Sequence, residues 1–299
     1  MKPSIIILGA HGMLGWQVLN QFKDSNFNLK CQVRSKKNQR TLVKKLKLNN
    51  KISFFNFDLE KDKIEVLYKK ISKNDIIINC IGKIKPFINE SNLNQIEAAI
   101  KVNSMFPLLL SKMIKIKNVK IYQIATDCVF SGSDGNYNEM SKHDALDVYG
   151  KSKSLGEVNI KNFFNIRASI IGKELDTKNS LVEWFLSNEK KEKIFGFKDH
   201  LWNGVTTSVF SQILYTIINE KINIPNNFHL VPKDKVSKYK LMQFLKNYYG
   251  FKDLKIIRKN SNNKINRVLE TSHKLVNNEI WLKTKYKKKL SIKEIISTL

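Results

Sequence analysis

Apolar residues in this chain fall into two kinds of stretch: short continuous runs, and longer segments in which they recur every three or four positions. The first kind suits strands covered on both faces and the second suits amphipathic helices. Ser4–Leu8 is a β-branched run ended by glycine, and WQVLNQF follows with helical spacing. The pattern then predicts a strand over LKCQVR (29–34), a basic helix over residues 41 to 49, a strand over KISFFNF (51–57) and a helix over 62 to 71. DIIINCIG (75–82) reads as a fourth strand, Leu93 to Ile116 as a long helix, and VKIYQIAT (119–126) as a fifth strand. Residues from Ser131 to Asp147, rich in Gly, Ser, Asn and Asp, loop out before a helix that carries Tyr149 and Lys153. FFNIRASIIG (163–172) is a sixth strand. Strand and helix alternating in this way argue for right-handed crossovers, hence an α/β fold with a doubly wound parallel sheet over residues 1–171.

Residues 172–299 read as a smaller region. VTTSVFSQILYTIINEKI (205–222) is a strong amphipathic helix, NNFHLV a strand, and VSKYKLMQFLKNYYG a helix started by Ser237 and stopped by Gly250. The tail from 284 to 299 is basic, and a solvated helical face is expected there. No internal repeat or low-complexity segment interrupts this plan.

Composition narrows the function classes. Apolar residues make up 42% and charged residues 26% of the 299, so a buried core is expected and disorder is not. Lys and Arg number 53 against 26 acids, a formal charge of +27 that invites a nucleic-acid or membrane-surface partner. The lysines are spread along the whole chain without a recognisable binding module, so neither partner is expected. Cys31, Cys80 and Cys128 are unclustered and lack metal-ligand spacing, as in reduced cytoplasmic proteins. No stretch approaches the ~20 apolar residues of a membrane span, and no signal-like segment precedes IIIL; a cytoplasmic protein is expected.

The candidate chemistry lies at predicted strand ends. GAHGMLG places Gly9, Gly12 and Gly15 between a strand and a helix, where backbone can approach a pyrophosphate at a helix N-terminus. His11, inside this loop, has no partner in view and reads as a loop residue. After the second strand comes Arg34-Ser35-Lys36-Lys37, with no acid from Asn28 through Arg40. Cations there accommodate a 2′-phosphate, which favours NADPH, with NADH as the alternative. Asp58 is placed either to accept from an adenine amino group or to cap the helix that follows. Gly82 lets backbone pass close to a cofactor. Asn103 is a surface amide or a buried one with a hydrogen-bonding role near the site. Thr126 ends the fifth strand with a hydroxyl. Tyr149 and Lys153, four apart on a helix, share one face, and a phenol beside an ammonium is a tuned proton donor.

GAHGMLG, ATDCVFSG, YNE and DVYGKSKSLGE, in this order, resemble the extended short-chain dehydrogenase/reductase superfamily, and within it the dTDP-4-dehydrorhamnose reductase family. The match is close over the first 170 residues and looser beyond, through NGVTT (203–207) and HLVPKDKVSKYKLMQFL from His229. The resemblance implies a Rossmann-type domain with a C-terminal substrate-binding region, the 205–222 helix packing back on the former. It implies a catalytic trio of Thr126, Tyr149 and Lys153. Cofactor contacts would come from Gly9, His11, Gly12, Met13, Leu14, Gly15, Arg34, Asp58, Leu59, Cys80, Ile81, Gly82 and Asn103, with Tyr149 and Lys153. Thr126, Asp127, Cys128 and Trp202 would face the substrate, although Trp202 as ordinary core competes with Trp202 as a sugar-stacking residue. Where the family has Ser-Thr-Asp-Tyr this chain has Ala125-Thr126-Asp127-Cys128, which widens the pocket. Together with Trp184 and Trp202, this suggests a sugar other than dTDP-4-dehydrorhamnose, such as an N-acetylated 6-deoxy-4-keto sugar on a UDP carrier.

Three functions are therefore weighed. The first is NADPH-dependent reduction of a 4-keto-6-deoxy nucleotide sugar for surface polysaccharide. The second is an epimerase or dehydratase that retains its cofactor, and the third a non-catalytic regulatory binding subunit. The intact Thr126, Tyr149 and Lys153 argue against the third. A homodimer is the assembly to test.

Overall fold

A computed structural model describes residues 3–48 and 52–299. The chain divides into two compact units, each assembled from several segments. One comprises residues 1–125, 146–166 and 224–227; the other 126–145, 167–223 and 228–299.

In the first unit, β1 (Ser4–Leu8) leads to α1 (Gly15–Phe22), β2 (Asn28–Val33), α2 (Lys36–Leu46) and β3 (Ser53–Asn56). α3 (Ile64–Tyr68), β4 (Ile76–Asn79), α4 (Leu93–Ile100), α5 (Phe106–Lys117), β5 (Lys120–Ala125), α6 (Val148–Leu155) and β6 (Phe163–Arg167) follow. Lys51, at the start of the third predicted strand, and Asn49, at the end of the basic helix, lie outside the described residues. That helix begins earlier than its spacing suggested, because Ser35 caps it by accepting from the Asn38 amide at 3.2 Å. The 62–71 helix shrinks to five residues, Ile64–Tyr68.

The chain continues with β7 (Ile170–Ile171), α7 (Leu181–Leu186), β8 (Lys193–Phe197), β9 (His200–Trp202), β10 (Val205–Thr206), α8 (Thr207–Asn219) and β11 (Asn227–His229). It ends with β12 (Val236–Ser237), α9 (Lys238–Tyr249), β13 (Lys255–Lys259), β14 (Ile265–Asn266), α10 (Lys274–Lys283) and α11 (Ile292–Ile296). The sixth predicted strand is two: β6 stays in the main sheet, while β7 pairs with β10. The break falls at Ala168-Ser169, where the Ser169 carbonyl accepts from the Val205 amide and its hydroxyl from the Trp202 indole. The α9 boundaries match expectation, with Ser237 as N-cap and Gly250 at φ +72° ending the helix. The tail departs from it. Only Ile292–Ile296 is helical, closed by a Ser291–Glu294 capping box, and Ile292, Ile295 and Ile296 are buried, so apolar packing prevails over the surrounding lysines.

Seven strands form one parallel sheet in the order β11-β6-β5-β4-β1-β2-β3. β1 is the pivot: β2 pairs with it on one side and β4 on the other, so the strand order reverses between β1 and β4. Ligands of such sheets sit beyond the carboxyl ends at that reversal. Ile5, Ile6, Ile7 and Leu8 are completely buried, as a central strand covered on both faces requires. Ile6, Leu8, Ile77 and Ile121 pack with Phe57, Phe106, Leu110, Met113 and Phe163 into one core cluster.

Candidate functional site

The glycine turn sits at the reversal point. Gly9 has φ +75°, and a Cβ there would come within 3.0 Å of the Cys80 backbone. Gly15 opens α1 so close to the turn that a Cβ would lie 2.0 Å from the Gly9 carbonyl oxygen. No side chain caps α1, whose N-cap is Leu14, and the Trp16 amide in its first turn donates to the Gly12 carbonyl at 3.2 Å. These are the features a dinucleotide pyrophosphate needs. His11 and Met13 are half-buried in the turn, Gly12 is exposed, and the Gly12 amide donates to Gly9 at 3.0 Å.

Two supports of this turn escaped the sequence reading. Gln32 is buried in β2; its Oε1 accepts from the Gly9 amide at 2.7 Å and its Nε2 donates to the Phe57 carbonyl at 2.5 Å. It ties together the carboxyl ends of β1, β2 and β3. On the other side, Asn79 Nδ2 donates to Gln123 Oε1 at 2.7 Å, and Asn79 Oδ1 accepts from the Ile81 amide at 3.1 Å. The available signal was a lone amide inside an apolar strand, since a buried amide must find partners.

Arg34 is exposed one residue beyond β2, and the first turn of α2 contains no acid. Asp58 does not cap α3, whose N-cap is Lys63: its Oδ1 accepts from the Glu60 amide at 3.1 Å, in a local turn that precedes the helix. Its side chain is half-buried, as are Leu59, Cys80 and Ile81, and Leu59 and Ile81 pack against the core cluster.

The predicted long helix contains a defect at Asn103. Lys101–Met105 forms a π-turn between α4 and α5, with the Phe106 amide reaching back to the Lys101 carbonyl. Pro107, which has no N–H to offer the Asn103 carbonyl, is the sequence cause. Asn103 is buried, not a surface amide. Its Oδ1 accepts from the Lys83 amide at 2.9 Å, and its Nδ2 donates to the Lys83 carbonyl at 3.0 Å and to Ser152 Oγ at 3.1 Å. Ser104 Oγ donates to the Ser152 carbonyl at 2.7 Å. A Cβ on Gly156 would lie 1.9 Å from the Asn103 carbonyl oxygen, so α6 can approach the π-turn only with glycine there. One amide thus fastens both the segment after Gly82 and the helix that carries Tyr149 and Lys153.

α6 begins at Asp147, whose Oδ1 accepts from the Gly150 amide at 2.7 Å and whose Oδ2 meets Lys85 Nζ at 2.8 Å. Tyr149 lies half-buried in its first turn. Lys153, one turn later, is 8% exposed and donates from Nζ to the Ile124 carbonyl in β5 at 2.7 Å. Burial pushes the nearby Cys80 thiol up to about 12, against the opposing charge of Lys153.

In the second unit, Thr126 follows directly on β5. It is extended (φ −143°, ψ 149°), its Oγ1 accepting from the Cys128 amide at 3.2 Å and donating to Asp127 Oδ1 at 3.3 Å. Burial raises the Asp127 carboxyl, while the charges of Arg267 and Lys238 and the Thr126 hydrogen bond oppose the rise. Cys128 is half-buried with its Sγ 3.8 Å from Asp127 Oδ1. Trp202 is 3% exposed, and its indole N–H donates to Ser169 Oγ at 2.8 Å. Trp184 is 44% exposed on α7.

The sheet order, the glycine turn at its reversal point and the Tyr149–Lys153 helix define an extended short-chain dehydrogenase/reductase. The chain belongs to the family described as the RmlD substrate binding domain, whose profile matches residues 1–276. Its fold is similar to that of a dTDP-4-dehydrorhamnose reductase from Bacillus anthracis in complex with NADP, at 17% identity over 100% of this chain and 98% of the other, with a TM-score of 0.76. A UDP-Glc/GlcNAc 4-epimerase from Campylobacter jejuni is similar at 17% identity, covering 99% and 97% of the two chains with a TM-score of 0.75. So is a UDP-glucuronic acid 4-epimerase from Bacillus cereus in complex with UDP-glucuronic acid and NAD, at 17% identity, 98% and 96% coverage and a TM-score of 0.72. No curated protein matches the chain in sequence.

Proposed function

We propose that the protein reduces the keto group of a 4-keto-6-deoxy nucleotide sugar with NADPH. The observation that carries this reading is the Lys153 ammonium held by the Ile124 carbonyl one helical turn from Tyr149. In the same unit, Gly9 and Gly15 shape the turn at the sheet's reversal point.

The residues fit a nicotinamide dinucleotide. The turn and the first amides of α1 would hold the pyrophosphate, and Arg34 with the acid-free start of α2 would receive a 2′-phosphate. When bound, the reduced nicotinamide supplies the hydride. The chain supplies the proton: Tyr149 donates it from its phenol to the substrate oxygen, and the Lys153 charge favours the phenolate left behind. Holding Nζ on a backbone carbonyl keeps that charge in place. Thr126 keeps the role its motif assigns, a hydrogen bond to the substrate oxygen. The RmlD family and the likeness to a reductase in complex with NADP support this reading. The small Cys128 in place of the family's aromatic supports a bulkier sugar than dTDP-4-dehydrorhamnose, and surface polysaccharide is the proposed destination.

A second reading, epimerisation with retained cofactor, is favoured by the equal identity and similar TM-scores of the two 4-epimerases. Incubating the protein with NADPH and a panel of 4-keto nucleotide sugars separates them. Reduction gives stoichiometric loss of the reduced-nicotinamide absorbance. An isomerised product without net oxidation would replace the first reading by the second.

A further inference from the structure

β8 and β13 pair in parallel as a two-stranded sheet of the second unit. One face packs on α9: Gly196 sits so close that a Cβ would lie 2.6 Å from Tyr239 Cα, and the Arg258 guanidinium lies 4.9 Å from the Tyr239 ring centroid. The register places the other face unambiguously. Lys193 pairs with Lys255, Phe195 with Ile257, and Phe197 with Lys259. Phe195 and Ile257, at the centre, are 52% and 39% exposed. The three lysines around them are all exposed.

This arrangement is unfavourable for a free surface in two respects. A Phe–Ile pair stands in water in the middle of a sheet, and two lysines stand directly opposite one another, where like charges repel. Among the described residues Lys255 has an ion pair with Glu192 at 3.6 Å to offset that repulsion, and both side chains are largely exposed. An apolar centre inside a ring of cations is complementary to a surface that is apolar beneath and anionic above.

We propose that this face docks on anionic phospholipid, with Phe195 and Ile257 entering the headgroup layer and Lys193, Lys255 and Lys259 meeting the phosphates. This goes beyond the proposed reduction and does not depend on it. It also departs from the sequence expectation of no membrane partner, which rested on lysines spread along the whole chain and on the lack of a spanning segment; the strand register gathers three of those lysines around an apolar pair, which the linear order does not show. Among the described residues no helix is long and apolar enough to cross a membrane.

Two observations favour lipid over other anionic partners. Nucleic-acid bases would need bare aromatic faces to stack on, but Lys259 Nζ lies 5.4 Å from the Phe195 centroid and Phe197 is stacked on His200 at 4.6 Å. An acidic protein would need an interface of roughly 800 Å² per partner, far more than six side chains on two strands present. A fluid bilayer needs neither, only a small wedge and several cations, each worth about a fivefold gain in binding.

The test is co-sedimentation of the intact protein with phosphatidylcholine vesicles, alone or mixed with phosphatidylglycerol. Binding is expected to the mixed vesicles only, and to fall steeply with salt. Phe195→Ser combined with Ile257→Ser, which leaves the charge unchanged, should weaken it about tenfold, and Lys193→Glu with Lys255→Glu more than that. Lys69→Glu with Lys70→Glu, the same charge change on the first unit, should weaken it several-fold less than the Lys193/Lys255 pair. Circular dichroism of each variant verifies folding. The proposal is overturned if the wild type stays in solution, if the Phe195/Ile257 variant binds like wild type, or if both lysine pairs weaken binding equally. It is also overturned if the face binds oligo(dT) or an acidic peptide in preference to the mixed vesicles.

Discussion

At the scale of single residues, the proposal rests on how Tyr149 and Lys153 are held. The lysine spends one of its three donors on the Ile124 carbonyl, so its position is set by β5 and not by its own flexible stem. Removing the phenolic hydroxyl removes the proposed proton donor. Tyr149→Phe should therefore lower kcat by a factor of 10² or more, in line with the loss of a general acid, while the Kd for NADPH changes less than about threefold. Isothermal titration and steady-state kinetics on the same preparation measure both, and a variant that turns over normally would remove Tyr149 from the mechanism. The Tyr–Lys spacing and the three glycines were readable from the chain because each has a strict local geometry. Gln32, Asn79 and Gln123 were not, since each gains its role from a neighbouring strand that the linear order does not reveal.

At the scale of elements, the π-turn at Lys101–Met105 does the most to fasten α6. Its Asn103 spans from Lys83 to Ser152, and its carbonyl leaves no room for a side chain at position 156. Gly156→Ala must push α6 away from the π-turn. The expected cost is about 1–3 kcal/mol, as for overpacking a filled core, with a loss of kcat as Tyr149 shifts. Chemical denaturation paired with kinetics checks this, and an unaltered midpoint would show that α6 is not seated on Asn103. The helix from Leu93 to Ile116 was legible in its apolar spacing, but the π-turn was hidden in it, although Pro107 marked the place. The strand over 163–172 was likewise legible as an apolar run. Its division into β6 and β7 was not, because the partner that draws β7 away, β10, lies more than thirty residues later. The basic tail misled for a related reason: its lysines outnumber the isoleucines that bury it.

At the scale of the whole molecule, buried ionisable groups link stability to pH. His229 is fully buried, and its Nδ1 donates to the Glu270 carbonyl at 2.8 Å. The Arg167 guanidinium donates to Nε2, so the imidazole is neutral. Burial and the Arg167 charge hold it down at about 4, against the opposing charge of Glu139. A histidine depressed on folding is protonated first in the unfolded chain. Its contribution is therefore complete above the ordinary value of 6.5 and is lost as pH falls from there toward 4. The slope approaches roughly 1.4 kcal/mol per pH unit. Glu139, lowered by hydrogen bonds from Thr271, Ser272 and His229 against the effect of its burial, adds to the loss only near and below the ordinary 4.5. Thermal midpoints at pH 7 and pH 5 should differ accordingly, and His229→Gln should flatten the difference; an unchanged slope would contradict the assignment. The α/β plan was visible in the alternation of strand and helix, whereas the interleaving of the two units was not, because it depends on which segments meet in space. The central claim, hydride delivery from NADPH to a sugar carbonyl, is tested most directly by turnover with NADPH deuterated at the transferred position of the nicotinamide. The account predicts one deuterium on C4 of the sugar product for each NADPH consumed, at a kcat/KM for NADPH above that for NADH; a product that carries no deuterium, or that forms without loss of NADPH, would contradict it.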